Sequence, residues 1–224
     1  MLCPHGMRYL VLTLAALAWA DSTALSPEVV LARMEQTTDQ RFQALRTFQG
    51  KRRYFVQHPL LPADTSILVA EEYRDGKRSF KVLERHGPSE IHQKVFKPLM
   101  DAETLNDAET ERQAVEVCRR NYEFTWVRTD PDGAFVFRAE PRTANRYLFR
   151  GLIWIDPRQF AVRRIEGEPA QPPSALVSRT RFVHEFTPFG PFWLQTRHRA
   201  QAQLRLLGKA QVGIDYFDYD WQPK

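Results

Sequence analysis

Ten runs of strand length dominate the sequence, most of them alternating large apolar and polar residues. Three come early: KRRYFVQ from Lys51, SILVAEEYR from Ser66 and RSFKVLERH from Arg78, separated by proline-containing and DGK turns. Seven more follow, YEFTWVR from Tyr122, AFVFRAE from Ala134, NRYLFRGLIWID from Asn145, QFAVRRIEG from Gln159, SRTRFVHEF from Ser178, FWLQTRHRAQAQL from Phe192 and AQVGIDYFDYDW from Ala210. With no helix between most of them, such runs pair as antiparallel neighbours, which excludes a Rossmann unit or a TIM barrel. The fold class predicted is mainly β with α: an incomplete antiparallel β-barrel of about ten strands covered by helices.

Helical signals are confined to two places. Ser26 before Pro27 is an N-cap with proline in the first helical position, and Leu31, Met34, Thr38, Phe42 and Leu45 continue one stripe until Gly50. In the middle, Val95, Phe96, Leu99 and Met100 lie in an irregular basic stretch. Asn106 to Glu109 then opens a second helix with Ala108, Val115, Cys118 and Tyr122 as its apolar stripe. AQPPSA from Ala170 is too short to divide domains, so residues 21–224 are expected to form one domain.

Residues 1–20 carry the marks of a secretory signal peptide, with Arg8 in the basic region, an apolar run from Tyr9 to Ala18, and Ala18-Trp19-Ala20 as the cleavage site. The run is half of the roughly 20 residues needed to cross a bilayer. The expectation is export to the periplasm with cleavage after Ala20, giving a soluble, monomeric protein that does not span the membrane. Cys3 leaves with the signal, and Cys118 then has no partner for an intrachain disulfide. No cysteine follows the apolar run at the cleavage site, so lipidation there is not expected. The formal charge of +5 is mixed along the chain and does not call for nucleic acid.

The common catalytic signatures are missing: there is no G-x-S-x-G, H-E-x-x-H, phosphate-binding glycine loop or C-x-x-C. His86 and His92 flank a loop, and His184 and His198 lie on strands that could be neighbours, but no cysteine or carboxylate stands at ligand spacing beside them. Neither a metal nor a cofactor is expected, and no catalytic residue is assigned. Asp215, Asp218 and Asp220 read as a solvated strand edge, and Arg163, Arg164, Arg179 and Arg181 as a wet convex face.

The surplus lies in apolar side chains on strands. Tyr122, Phe124 and Trp126 share one face, as do Phe135 with Phe137, and Phe182 with His184 and Phe186. Part of this surface packs against the first helix. Two helices hardly cover ten strands, so the rest is expected to line a cavity for an apolar ligand. Its candidate lining is Phe124, Trp126, Phe135, Phe137, Phe182 and Leu194, with Val95, Phe96, Leu99 and Met100 as a movable lid.

RRNYEF from Arg119, PRTANRYLFRGLIWIDPRQFAVRRIEGEP from Pro141, RFVHEFTPFGPFWLQ from Arg181 and GKAQVGIDYFDY from Gly208 resemble exported bacterial proteins that are outer-membrane lipoprotein-sorting-protein-like, of the LolA/LolB superfamily. The most specific part is the strand pair around RGLIWID and FAVRRIEG, turning through Asp156-Pro157. The resemblance implies an incomplete barrel closed by helices, an apolar cavity for lipid or lipoprotein acyl chains, and no enzyme activity. The early half of the chain does not match residue by residue. Three functions are weighed: a periplasmic carrier or binder of acyl chains, a lipid-sensing or scaffold protein that acts by contacting an envelope protein, and a hydrolase of unrecognised type.

Overall fold

The computed structural model describes residues 25–44, 47–74, 77–105, 113–145 and 147–221. The expected signal peptide and the opening of the second helix at Asn106–Glu109 lie outside the described residues.

Helix α1 spans Pro27–Ala44. The Ser26 hydroxyl accepts a hydrogen bond from the Val29 N–H at 3.4 Å, as its position before Pro27 requires. Strands β1 (Thr47–Gln57), β2 (Ser66–Arg74) and β3 (Lys77–His86) form a first meander. A second runs through β4 (Tyr122–Thr129), β5 (Phe135–Pro141), β6 (Phe149–Ile155), β7 (Val162–Pro169), β8 (Val177–Phe189), β9 (Phe192–Leu204) and β10 (Gly208–Trp221). All ten strands belong to one antiparallel sheet in the order β3-β2-β1-β10-β9-β8-β7-β6-β5-β4. The last strand pairs with the first, and β3 and β4 are left as the two edges of an unclosed barrel.

Several expectations change here. α1 stops at Ala44, and Gly50 lies inside β1, because the backbone from Thr47 pairs with β2 on one side and, from Phe48, with β10 on the other. Tyr122, which closes the expected helical stripe and also begins the expected run YEFTWVR, opens β4 as that run requires. Asp215, Asp218 and Asp220 do not sit on a sheet edge, since β10 lies between β1 and β9. Asp218 adopts φ 54° beside the bulge opposite Gln49–Lys51, and it pairs with Lys51 at 3.0 Å.

The stretch read as irregular is helical. A short helix α2 (Ser89–Ile91) leads into a π-helical turn (His92–Phe96) and helix α3 (Lys97–Leu105). Pro98 has no N–H to offer the preceding turn, and the Lys97 N–H reaches back to the His92 carbonyl in a wider turn. The spacing of Val95, Phe96, Leu99 and Met100 is that of one helical face, which the basic residues between them obscure.

Two hydrophobic clusters hold the helices to one face of the sheet, the inner face. α1 packs Val30, Leu31 and Met34 into a cluster with Tyr122, Phe137, Phe149, Ile153 and Ile165, on β4–β7. The segment Ser89–Leu105 packs Phe96 against Tyr54, Val69, Ile214 and Tyr216, on β1, β2 and β10, with Val95, Leu99 and Met100 around it. On the outer face, Ala134, Val136 and Trp154 form a small patch of their own.

Candidate functional site

Alternation turns Arg52, Tyr54 and Val56 of β1 inward, and Ile67, Val69, Glu71 and Tyr73 of β2 with them. Two charged side chains therefore enter an otherwise apolar floor, where Arg52 is 3% and Glu71 2% exposed. Arg52 Nε donates to Glu71 Oε2 at 2.6 Å, and a second contact joins Arg52 Nη2 to Glu71 Oε1. This forked geometry is what makes a buried guanidinium–carboxylate pair tolerable.

Glu103 comes down onto the pair from α3. Its carboxylate meets Arg52 Nη1 and, at 2.9 Å, Arg78 Nη1 of β3, while Arg78 Nε stands 3.2 Å from Glu71 Oε1. The phenol of Tyr54 lies 3.5 Å from both Arg52 Nη1 and Glu103 Oε1. The guanidinium of Arg52 also lies over the rings of Tyr216 and Phe80, at 4.8 and 5.1 Å. Burial acts to raise the Glu103 carboxyl, but the charges of Arg52 and Arg78 and the Arg52 hydrogen bond outweigh it and hold the group below its usual value. Two guanidinium groups and two carboxylates thus meet in one cluster. Arg78 and Glu103 remain partly open to solvent, with 20% and 26% of their side chains exposed.

Across the inner face, His184 of β8 and His198 of β9 are register partners with nitrogens 3.0 Å apart. Burial, then the neighbouring imidazole, pulls His184 down to about 3. Burial pulls His198 down to about 4, opposed by Glu103 and assisted by Arg199. Both rings are neutral at pH 7. The sequence placed these strands as potential neighbours, and they are. Among the described residues, no group of three or more His, Cys, Asp or Glu is arranged to hold a metal ion.

The candidate lining residues divide. Phe137 is fully buried in the cluster that α1 covers, and Phe124, Phe135 and Phe182 pack against that cluster, Phe182 through the Phe149 ring at 5.9 Å. Trp126, 37% exposed, meets the Phe137 ring edge-on at 5.2 Å. Leu194 belongs to a third cluster, with Phe48 and Phe192. The four lid candidates cover a different stretch of the inner face: Phe96 is fully buried 6.4 Å from the Tyr54 ring, and Val95, Leu99 and Met100 pack beside it. Phe182 reaches toward the centre, edge-on to His184 at 4.9 Å. A groove of about 480 Å³ runs where Met100 and Thr104 approach Ile67, Phe80 and Val82.

The charged cluster was missed in the sequence. Its signal was present, since Arg52 and Glu71 each hold an inward position between apolar residues on adjacent strands. The outer arginines behave as expected for a wet face: Arg164 pairs with Glu185 at 2.7 Å and Arg179 with Glu168 at 2.9 Å. Arg163 meets Asp132 at 2.6 Å.

No family model matches the chain, and no curated protein matches it in sequence. It is similar to several solved structures. A LolA superfamily protein from Nitrosomonas europaea shares 14% identity over 90% of this chain and 96% of its own, with a TM-score of 0.41. A putative outer membrane lipoprotein-sorting protein domain from Vibrio parahaemolyticus shares 8% over 86% and 93%, with a TM-score of 0.46. A DUF1329 family protein from Desulfovibrio piger shares 10% over 86% and 90%, with a TM-score of 0.42. The superfamily of the sequence resemblance is thus also named among these structures. All three superpose loosely, and the architecture rests on this chain's own strand pairing.

Proposed function

We propose that this protein binds or carries the acyl chains of a lipid or lipoprotein on the inner face of its open sheet, without catalysing a reaction. The observation that carries this reading is the division of the helical cover. α1 and the segment Ser89–Leu105 pack on separate clusters, so the second can lift while the first stays seated. Lifting it would uncover Tyr54, Val69 and Ile214, a floor on which each buried methylene contributes about 0.8 kcal/mol. Val95, Phe96, Leu99 and Met100 are then the lid, as proposed from the sequence. The lining begins beneath them and extends across His198 and His184 to Phe182, while Phe124, Phe135 and Phe137 serve chiefly to seat α1.

Residues 1–20 are proposed to direct export to the periplasm and to be removed after Ala20. Among the described residues no helix is long and apolar enough to cross a membrane. Intact-mass measurement of the exported protein tests the cleavage, and a retained N-terminus or an added acyl mass rejects it.

Binding is tested by titrating the purified protein with a fluorescent fatty-acyl probe and displacing it with unlabelled lipid. Saturable binding, weakened by Val69→Asp in a variant that still folds, is the expected outcome. If the wild type binds no acyl probe, the reading falls and action through protein contact replaces it.

A further inference from the structure

We propose that three neighbouring hairpin turns at one end of the sheet form a docking rim for a phospholipid surface with anionic headgroups, into which Leu60, Leu176, Leu206 and Leu207 insert and against which Arg205 and Lys209 rest. The inference goes beyond the acyl-binding reading and does not depend on it.

The strand order puts the turns side by side. Along β2-β1-β10-β9-β8-β7 each strand runs antiparallel to the next, so the turns joining β1 to β2, β9 to β10 and β7 to β8 all leave the sheet at the same end. Leu206 is 89%, Leu60 74%, Leu176 68% and Leu207 58% exposed, whereas no other large apolar side chain among the described residues passes 43%. Single exposed leucines are ordinary on a protein surface; four on one rim are not. The turns are also tied to each other. His58 Nδ1 accepts the Leu60 N–H at 3.2 Å, so the ring carries its proton on Nε2, which donates to the Leu207 carbonyl at 2.8 Å. The Arg205 N–H donates to the Leu176 carbonyl at 3.0 Å, and its Nε to the Ala175 carbonyl at 2.9 Å. The leucines are thus held together before any partner arrives, and docking has little left to order.

Charge selects the partner. The β9–β10 turn reads Arg205-Leu206-Leu207-Gly208-Lys209, two exposed apolar side chains between two exposed cations, and neither cation has an ion pair among the described residues. Asp64, the one acid in the three turns, faces His86 at 3.8 Å. Such a turn matches the boundary layer of a bilayer, where anionic headgroups lie just outside the acyl region: the leucines reach past the headgroups and the cations stop at them. An apolar protein surface would leave Arg205 and Lys209 without a counter-charge. β3 ends at this rim too, where Gly87, at φ 90°, leads into the segment Ser89–Leu105, so the cover is attached beside the membrane contact.

The test sediments the full-length exported protein with vesicles of phosphatidylglycerol or of phosphatidylcholine. The wild type should bind phosphatidylglycerol roughly 10- to 30-fold more tightly at low salt, the contribution of two cations at an anionic surface, and lose that preference as salt is raised. Leu206→Ser combined with Leu207→Ser should weaken binding to phosphatidylglycerol by roughly 10-fold or more. Lys209→Gln should narrow the difference between the two lipids. Val127→Ser, an exposed apolar change on β4 at the far edge of the sheet, should bind as the wild type does. A polarity-sensitive fluorophore attached to Leu206→Cys should shift to shorter wavelength on phosphatidylglycerol vesicles, and one on Val127→Cys should not, which locates the contact without removing any leucine pair. The rim variants should keep their affinity for a soluble acyl probe, so failure of the rim leaves the acyl reading standing, and failure of acyl binding leaves the rim. If the wild type does not bind phosphatidylglycerol vesicles, or the serine pair binds them unchanged, the rim is rejected. If the serine pair instead abolishes self-association of the protein without weakening vesicle binding, the leucines serve a second copy and the membrane proposal falls.

Discussion

His184 Nε2 and His198 Nδ1 stand 3.0 Å apart on facing strands, and Gln195 Nε2 lies 3.1 Å from His184 Nδ1. An amide nitrogen only donates, so His184 Nδ1 must accept. The proton of His184 is then on Nε2 and is donated to His198 Nδ1. One directed chain of hydrogen bonds fixes both tautomers, and it holds only while both rings are neutral.

Acid should therefore weaken the fold before carboxylates matter. Both imidazoles are depressed below 6.5, to about 3 and about 4, so between pH 6.5 and about 4 the unfolded chain binds protons that the folded chain refuses. Stability is full above pH 6.5 and falls with pH through that window, by at most about 1.4 kcal/mol per pH unit for each ring. Glu103, lowered from 4.5, contributes its loss only at lower pH. In denaturant titrations from pH 7.5 to 4.5, His184→Gln should flatten the slope; an unchanged slope rejects the assignment.

The Arg52–Glu71 pair predicts an asymmetry between losing a buried carboxylate and losing an exposed one a residue away. Glu71→Gln leaves Arg52 with Glu103 of α3 as its one remaining carboxylate partner among the described residues, and should cost about 3–5 kcal/mol, the range for breaking a buried ion pair. Glu72→Gln, one residue away on the exposed face where Glu72 meets Arg74 at 2.6 Å, should cost less than about 1 kcal/mol. Equal losses in urea unfolding would mean that Arg52 is not buried as described.

Gly151 and Gly167 face each other across β6 and β7. A Cβ on Gly151 would lie 2.0 Å from the Glu166 carbonyl oxygen, a backbone atom that a rotamer change cannot move. Gly151→Ala should therefore cost at least the roughly 1–3 kcal/mol of an overpacked core. Gly208→Ala, in open space at φ 82°, carries only the left-handed backbone cost of about 1–2 kcal/mol. A thermal melt in which Gly208→Ala is the more damaging change would contradict this close strand approach.

Period-two alternation made the strands legible, to the point that Ser66–Arg74 and Phe192–Leu204 coincide with β2 and β9. It does not show that β10 returns to pair with β1, because pairing across the whole chain leaves no local mark; Asp218 reads as an edge residue for that reason. The helical segment was hidden by composition. Pro98 argues against a helix locally, Lys94 and Lys97 obscure its apolar face, and burial of Phe96 decides in its favour. Phe137 and Phe124 read as inward-facing, but no pattern within their strands says whether a helix or a ligand covers them. α1 does, through Val30, a residue next to the expected stripe.

The separateness of the two covers is itself testable through Phe96. The side chain is fully buried and belongs only to the cluster on β1, β2 and β10, so Phe96→Ala should destabilise by about 3–5 kcal/mol. That loss should be local. Amide hydrogen exchange should accelerate across Ser89–Leu105 and along the neighbouring strands β2 and β3, while α1 and β4–β7 keep their protection, because Val30 and Met34 draw on a different set of contacts. Acceleration spread evenly over both halves would show that the covers open as one unit, and a lid that lifts on its own would then have no basis in this fold.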